Sequence, residues 1–339
     1  MEIKGKKRKS PFLGIMILSL LIFLVFSLYK GNQLVKKTEK EVSPELHKNE
    51  SNAKSYELKE IDSKTGDIRW KLTAKEGSTQ NELQGATIRD IEVTIFKNKE
   101  AIFNLKAPIA TANSETKEIL LLEGVTTKSK GENFILQSNK LSLAMGTELE
   151  AFDGFKLSLK NNGTLEGERA EINEEQTKIR IKGLKNAALK DIKISGKNVY
   201  LEKDNDTIKK VVIKNGGQIV LMNNDVLSAE QIEWINGGTI KAKSNVIFTS
   251  TDKQIKAGKL LINTDNTLIA EDKVTILDKD TKCSGEKLIY HDNQLVEITG
   301  EPKALQGNKI ISADKILYDT KLKKLQAIGS VKTSVKNKT

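Results

Sequence analysis

A phrase of eight residues recurs at a fixed interval in the second half of the chain. The phrase "ISADKILY" begins at Ile311, and related phrases begin at Cys283, Ile255 and Leu227, so the step between successive starts is constant. Each phrase has an apolar first residue and a small residue two positions later. A fixed interval of this size is typical of one supersecondary unit stacked on copies of itself. Repetition of one unit is therefore the strongest constraint on what this chain can fold into.

The same pattern extends upstream of this regular series. It predicts further unit starts at Ile194, Leu165, Leu136 and Leu105, and a ninth at Leu72. A second marker is in phase with the first, because a glycine follows several starts at a nearly constant separation. These glycines are Gly124, Gly154, Gly183, Gly300 and Gly329. Two markers in phase indicate that the repeat covers most of residues 72–339.

The pattern within each unit predicts two strands joined by a tight turn. Short runs rich in Ile, Val, Leu and Thr alternate with turn clusters such as Asn236-Gly237-Gly238 and Thr264-Asp265-Asn266, which is the pattern of β-hairpins. The small residues and the in-phase glycines predict bends or bulges where the strands curl. We therefore predict an all-β fold, an elongated antiparallel β-jelly-roll built of stacked hairpin repeats. A right-handed parallel β-helix is the alternative, since it also repeats by coils.

The interior of this roll is open to two interpretations. Alternation of apolar and polar residues is imperfect, and "EILLLEGV" is apolar on both faces at residues 119–122. A sheet with water on one side should alternate more cleanly. Either both faces are partly covered, or the inside is an apolar groove, and an ordinary packed core would explain most of these residues one by one.

The amino-terminal region predicts a membrane anchor. Residues 12–29 carry no charge, and as a helix they would rise about 27 Å, close to the thickness of the hydrocarbon core. Five Lys or Arg residues precede them, which favours a cytoplasmic amino end. We predict a cytoplasmic basic arm at 1–11, one uncleaved transmembrane helix at 12–29 and a stalk at 30–54. A cleaved signal peptide is the alternative.

Composition excludes several classes of function. The formal net charge is +11, but the lysines alternate with Asp and Glu and only 5% of residues are aromatic, so no nucleic-acid partner is expected. One cysteine and two histidines exclude a Cys/His zinc site. The chain lacks the common nucleophile, phosphate-binding and metalloprotease motifs. We therefore predict that it is not an enzyme and has no metal or cofactor.

Two phrases near the amino end point to a family. The first reads acidic–x–x–x–G–x–x–x–aromatic–x–L–x–A, and the second reads apolar–x–A, a turn, and then L-x-G-V. The residues of these phrases are Asp62, Gly66, Trp70, Leu72 and Ala74, followed by Leu105, Ala107, Leu122, Gly124 and Val125. In this order, after a helix and a stalk, the stretch resembles the LptC family of lipopolysaccharide export proteins.

The later units resemble the LptA/OstA family, whose units start with A-D-K-apolar-x-Y. The residues that match are Ala313, Asp314, Lys315, Ile316 and Tyr318. Short members of the LptC family end near residue 165 of this chain. We therefore predict an LptC-like β-roll at 55–164, continued by an LptA/OstA-like β-roll at 165–339.

The resemblance implies a function in lipopolysaccharide transport. It implies a periplasmic bridge component, anchored in the inner membrane, that shelters the acyl chains of lipopolysaccharide in an apolar groove and passes them from an inner-membrane ABC transporter toward the outer membrane. It also implies that rolls join by edge-strand pairing. The first strand, at 56–61 and 68–74, would meet the transporter, and the last, about 325–335, would meet an LptA-like or outer-membrane roll.

We predict that the groove is lined by apolar residues from strands along the whole roll. The candidates are Trp70, Leu72, Ile95, Phe103, Leu121, Phe134, Phe155, Leu157, Trp234 and Tyr290. Two alternatives of other classes remain at this point. The first is a structural spacer of the cell envelope with no lipid inside, and the second is a β-helical protein that acts on polysaccharide.

Overall fold

The computed structural model describes residues 51–79, 86–113, 118–143, 148–190, 192–204, 206–279, 281–291 and 294–335. They form a 22-stranded antiparallel sheet and one short 3-10 helix, Lys130–Glu132. The strands are β1 Ser51–Ile61, β2 Ile68–Thr79, β3 Ala86–Lys97, β4 Glu100–Asn113, β5 Glu118–Ser129, β6 Phe134–Leu143, β7 Leu149–Leu159, β8 Gly163–Ile172, β9 Lys178–Leu189, β10 Ile192–Asp204, β11 Thr207–Leu221, β12 Val226–Ile235, β13 Ile240–Ser250, β14 Lys253–Ile262, β15 Leu268–Asp278, β16 Thr281–Tyr290, β17 Leu295–Thr299, β18 Lys303–Gln306, β19 Lys309–Ser312, β20 Lys315–Asp319, β21 Lys324–Ile328 and β22 Lys332–Val335.

The pairing follows chain order from β1 to β16, so each strand lies beside the next one. Every pairing among the described strands is antiparallel. The prediction of an antiparallel all-β fold is confirmed, and the parallel β-helix is wrong. The strands belong to one open sheet, and the jelly-roll arrangement stays a prediction.

The sheet forks at β16, and the fork shows how it is folded. Residues Lys287–Tyr290 pair with β17, whereas residues Thr281–Ser284 pair with β18. Strands β20 and β21 continue from β17, and strands β19 and β22 continue from β18. We call these two branches leaf one and leaf two. The registers of the earlier strands place one half of each long strand in leaf one and the other half in leaf two.

The boundary between the leaves is a line of β-bulges, which we call the corner. Register shifts occur in mid-strand, for example between Glu271 and Val274 of β15. The five in-phase glycines all lie on this line and all have positive φ, from 63° at Gly183 to 96° at Gly154. Extra residues with left-handed backbone increase local twist and bend a strand. The prediction that these glycines mark bends is confirmed.

Not every corner uses glycine. In β15 the left-handed positions are Asp272 at φ 68° and Lys273 at φ 59°, and in β13 they are Ser244 and Asn245. Asn, Asp and Ser tolerate this backbone through local hydrogen bonds. This explains why the glycine marker is missing from the units that contain these strands.

Small residues two positions after each unit start lie on the inner side of the corner. A Cβ on Gly285 would lie 2.7 Å from the Thr299 carbonyl oxygen and 2.7 Å from Ile298 Cγ2. These distances are below any real Cβ contact, so only glycine fits there without a shift of the backbone. The repeated small residue is therefore required where the bent strands crowd together. One repeat unit is one hairpin of two strands that both bend at the corner.

Apolar side chains alternate toward the space between the leaves. In β15, Leu268 and Ala270 are buried before the corner and Val274 and Ile276 after it. The two bulge residues, Asp272 and Lys273, leave Ala270 and Val274 on the same, inward face of the strand. The same alternation along successive strands gives one continuous cluster of buried apolar residues, so both inner faces contribute to one interior.

Three predictions concern the ends and the modules. The predicted arm at 1–11 and helix at 12–29 lie outside the described residues, and within the described part no helix is long and apolar enough to cross a membrane. Strand β1 begins at Ser51, so residues 51–54 of the predicted stalk belong to the sheet. Strand β8 crosses the predicted module boundary at 164/165, and the pairing continues without a break.

Candidate functional site

All ten predicted groove residues lie in or against the interior between the leaves. Eight belong to the buried cluster, and Trp70 and Tyr290 are partly buried and pack against it. The buried eight are Leu72, Ile95, Phe103, Leu121, Phe134, Phe155, Leu157 and Trp234. The rings of Phe103 and Phe134 lie 5.5 Å apart between centroids. The sequence thus identified inward positions, and lipid contact at them stays a prediction.

The interior is filled by its own side chains. Leu72, Leu105, Leu136 and Leu157 are each 0% exposed, so water has no access to them. The predicted apolar groove is therefore not open in this structure, because the two inner faces pack on each other. A ligand between them would have to separate the leaves first.

The side opposite the corner, which we call the seam, is where the two leaves can separate. There the hairpin turns of leaf one face the hairpin turns of leaf two, and no backbone joins the two leaves along it in the described residues. Among the residues that the structure describes, hydrogen bonds and ion pairs of side chains close it instead, at four places along the sheet. Residues close in space at the seam are far apart in sequence, so sequence periodicity gives no signal for these contacts.

The first seam contact joins Lys97 of leaf two to leaf one. Its Nζ lies 2.8 Å from Glu175 Oε1 and 3.6 Å from Glu174 Oε1. Lys97 holds the pKa of Glu175 below its usual range, mainly through this hydrogen bond. Because the Lys97 side chain is 34% exposed and that of Glu175 is 54% exposed, solvent weakens the attraction.

Asn162 and Lys253 make the second and third seam contacts. Asn162, in the β7–β8 turn of leaf two, donates from Nδ2 to the Asp206 carbonyl oxygen and accepts from the Ile208 amide at 3.3 Å. Lys253 of leaf two donates to the Tyr290 hydroxyl of leaf one at 3.2 Å. In the described residues, a small number of hydrogen bonds thus joins the leaves in the middle of the sheet.

Asp278 forms the fourth and most buried seam contact. Its side chain is 0% exposed at the end of β15 in leaf two. It accepts from the Tyr318 hydroxyl at 3.0 Å and from Lys323 Nζ at 2.7 Å on each carboxylate oxygen. Burial is the main cause that raises the pKa of Tyr318, and the Asp278 carboxylate adds to it. This contact ties the last hairpin of leaf one to leaf two.

A cavity of about 270 Å³ lies at the seam beside the second contact, and Asn162, Asp206 and Ile208 of that contact line it. Its apolar wall contains Leu189 from leaf two and Ile208 and Trp234 from leaf one. Polar residues surround it: Asn161, Asn162, Lys190, Asp206, Thr207 and Asn236. One predicted groove residue, Trp234, therefore lines a space that both leaves form.

The site has no metal-binding character in the part of the chain that the structure describes. No group of three or more His, Cys, Asp and Glu side chains there could hold a metal ion. The single cysteine, Cys283, is buried, and burial raises the pKa of its thiol to about 12. What the site offers is an apolar interior with a polar seam.

Two regions of the chain match known protein families. Residues 16–186 match the profile described as "Lipopolysaccharide-assembly, LptC-related". This match spans half of the chain. The chain belongs to the LptC-related family. Residues 225–324 match a second profile, described as "LptA/(LptD N-terminal domain) LPS transport protein". The LptC-related region is thus followed by an LptA-like region in one chain.

Individual known proteins are less similar to the chain. The solved structures include a similar protein, LptH of Pseudomonas aeruginosa, described as the LptA-homologous periplasmic component of the lipopolysaccharide transport device. It is 15% identical, covers 33% of this chain and 95% of its own, and has a TM-score of 0.32. No curated protein matches the chain. The predicted resemblance to both families is confirmed, and neither family's description names a catalytic activity.

Proposed function

We propose that this LptC-related chain is a periplasmic bridge component, anchored in the inner membrane by residues 12–29, that shelters the acyl chains of lipopolysaccharide between its two leaves. The observation that supports this most directly is the continuous apolar interior, bounded by a corner that the backbone crosses and by a seam that, in the described residues, side-chain contacts close. The role is transport without chemistry, so it requires no nucleophile or cofactor.

The energies allow the seam to open for an acyl chain. Exposed ion pairs contribute about 0–1 kcal/mol each, and hydrogen bonds between neutral groups about 1 kcal/mol. An acyl chain of about twelve methylenes gains about 10 kcal/mol when it leaves water, at about 0.8 kcal/mol per methylene. The chain would also cover the inner faces that separation exposes. One acyl chain can therefore outweigh the seam contacts that it breaks.

The two ends of the sheet suit the partners that we propose. In the described residues β1 pairs only with β2, and β21 and β22 each pair with one strand. Unpaired edges can accept a strand from another protein. We propose that β1 meets an inner-membrane ABC transporter and that β21 and β22 meet an LptA-like or outer-membrane roll. A photocrosslinker at Glu57 should then capture the transporter, and one at Ser334 should capture the next roll.

Paired photocrosslinking positions test the lipid-binding role. In β7, Leu157 points inward and is fully buried, whereas its neighbour Lys156 is exposed. With p-benzoylphenylalanine at each position in the full chain, in cells, we expect lipopolysaccharide adducts at 157 and none at 156. Adducts at neither position, with the protein folded, would favour the structural spacer. Equal adducts at both would indicate contact with the outer surface instead of the interior.

A further inference from the structure

Two inward hydroxyl groups have no partner in the apolar interior. Thr127 is 0% exposed and Ser138 is 6% exposed. Among the described residues, Thr127 Oγ1 and Ser138 Oγ are both buried without a hydrogen-bond partner. Such groups are rare in proteins, because a hydroxyl group that leaves water without a new partner costs free energy. Two of them in one place point to a partner that binds from outside the chain.

The same strand contains a buried hydroxyl group that the fold itself pairs. Ser129 lies two residues after Thr127 in β5, on the same face, and is 4% exposed. Its Oγ accepts a hydrogen bond from the Phe134 amide at 2.9 Å. The lack of a partner at Thr127 and Ser138 is therefore not a general property of the polar residues in this part of the interior.

Thr127 occupies a position where the neighbouring strands have leucine. Successive register pairs place it in one inward row of leaf two with Leu105, Leu136, Leu157 and Leu165. All four leucines are 0% exposed. The hydroxyl group of Thr127 thus lies in a row of side chains that water does not reach.

Ser138 also departs from the repeat. It holds the small-residue position two residues after the unit start Leu136. The units before and after it have Ala107 and Gly167 at this position, so the corner requires a small residue there but no hydroxyl group. Both departures from the repeat, at Thr127 and at Ser138, fall in the hairpin of β5 and β6.

The two hydroxyl groups are close enough to share one acceptor. Thr127 pairs with Leu136 and Val125 pairs with Ser138, so Thr127 and Ser138 are diagonal neighbours on one face. Diagonal neighbours lie about 7–8 Å apart, and their side chains lie somewhat closer. Two hydroxyl hydrogen bonds of about 2.8 Å each, made to one oxygen atom, span up to about 5.6 Å. A single acceptor between the two side chains can therefore bond to both.

A neutral acceptor suits this place better than a charged one. The inward neighbours Leu105, Val125 and Leu136 carry no charge, and a carboxylate buried without a cation costs far more free energy than a neutral polar group. The ester or amide that joins an acyl chain to its headgroup has a neutral carbonyl oxygen with two lone pairs. Such an oxygen can accept from both hydroxyl groups.

We propose that the hydroxyl groups of Thr127 and Ser138 bind the carbonyl oxygen of an ester- or amide-linked acyl chain held between the leaves. This rests on the proposed lipid-sheltering function and adds to it a polar contact that sets how far an acyl chain enters this part of the interior. Without a ligand the two hydroxyl groups stay unpaired, and they then lower the stability of the free protein.

The test uses the full chain in a polyether detergent, which contains no carbonyl group, and two photoprobes that share one headgroup. The ester probe is maltose with a dodecanoyl chain, the ether probe is dodecyl maltoside, and each carries a benzophenone at the end of the chain. Below saturation, we expect the wild type to give more adducts with the ester probe. Thr127→Val combined with Ser138→Ala should lower the ester-probe yield roughly tenfold, because hydrogen bonds to a buried group are lost, and leave the ether-probe yield unchanged.

The matched control is Thr126→Val, a change at an outward threonine of the same strand, which should change neither yield. A second measurement is the melting temperature of the ligand-free protein. Thr127→Val keeps the shape of the side chain and removes an unpaired hydroxyl group, so the melting temperature should stay the same or rise.

Three results would overturn the proposal: a wild-type ester-probe yield in the double variant, an equal loss with both probes, or a lower melting temperature in Thr127→Val. The last result would mean that the hydroxyl group already has a partner in the free protein. Equal labelling of the wild type by both probes would also overturn the proposal but would leave the lipid-sheltering function intact. Labelling by neither probe would contradict the lipid-sheltering function and the proposal together.

Discussion

The corner and the seam bound the same interior but are closed in different ways. At the corner the backbone itself runs from one leaf to the other, and positions such as Gly285 have no room for a Cβ. At the seam, contacts such as Lys97 to Glu175 join side chains that solvent reaches. The corner therefore behaves as a fixed edge, and the seam is the edge that can separate. Substitutions at the corner should therefore lower stability more than substitutions at the exposed part of the seam.

The corner should tolerate no added volume. Gly285→Val places three carbons against the Thr299 carbonyl and Ile298, so we expect the free energy of unfolding to fall by about 3 kcal/mol, the upper end for overpacked sites. Chemical denaturation of the full chain measures this. Lys282→Ala, an exposed change in the same strand, should have little effect. A loss below about 0.5 kcal/mol in Gly285→Val would show that the corner is not tightly packed.

The buried seam contact should be the strongest of the four. Asp278→Ala leaves the Tyr318 hydroxyl and Lys323 without their acceptor. We therefore expect the free energy of unfolding to fall by about 2 kcal/mol. Hydrogen exchange should rise first in β20 and β21, the part of leaf one that this contact holds. The matched control is Asp252→Ala, whose exposed pair with Lys279 lies within leaf two. Unchanged hydrogen exchange in β20 and β21 would show that Asp278 does not hold the leaves together at the seam.

The same contact predicts a pH dependence. The folded state raises the pKa of Tyr318 above its ordinary value of 10.0, so the folded protein keeps a proton that the unfolded chain loses. Stability from this group is complete below pH 10.0 and falls as pH rises above it. Tyr318→Phe should lower the free energy of unfolding by about 1 kcal/mol at neutral pH. Its free energy of unfolding should then fall less in alkali than that of the wild type. An equal alkaline loss in both proteins would contradict this assignment.

The exposed seam contact should have the smallest effect. Lys97→Gln removes the ion pairs to Glu174 and Glu175, and we expect at most about 1 kcal/mol in the free energy of unfolding. Hydrogen exchange at the β3–β4 and β8–β9 turns should rise, because this contact joins them. A loss above about 2 kcal/mol, twice the upper value for an exposed ion pair, would mean that the seam is held as firmly as the corner.

Much of the fold could be predicted from the sequence because it is local. A hairpin of two bent strands repeats at a nearly fixed interval, and its small residues and glycines are required by close contacts within one unit, as at Gly285 and Gly300. The inward phase of residues such as Leu157 and Trp234 follows from the two-residue period of a strand. Corners built on Asp272 or Asn245 were missed because those residues also occur in ordinary turns.

The seam could not be predicted from the sequence. Lys97 and Glu175 are 78 residues apart, and Asp278 and Lys323 are 45 apart, at offsets that follow from the stagger of the two leaves. No repeat marks these pairs. Whether the interior is open or filled is likewise a property of side-chain packing between leaves, and the same apolar pattern fits both. The low exposure of Lys203 could not be predicted among so many lysines, because it depends on strand phase at the end of β10.

The central claim is that acyl chains enter between the leaves when the seam separates. Cysteines at 97 and 175, joined by a reducible bismaleimide, would lock the first seam contact, with a photocrosslinking residue at the nearby position 103 as the reporter. Native Cys283 is buried with a raised pKa and should not react. The control joins cysteines at 204 and 209, which lie in one leaf.

We expect the seam lock to abolish lipopolysaccharide adducts at position 103 and reduction to restore them, while the single-leaf crosslink has no effect. Undiminished adducts in the locked protein would contradict the account.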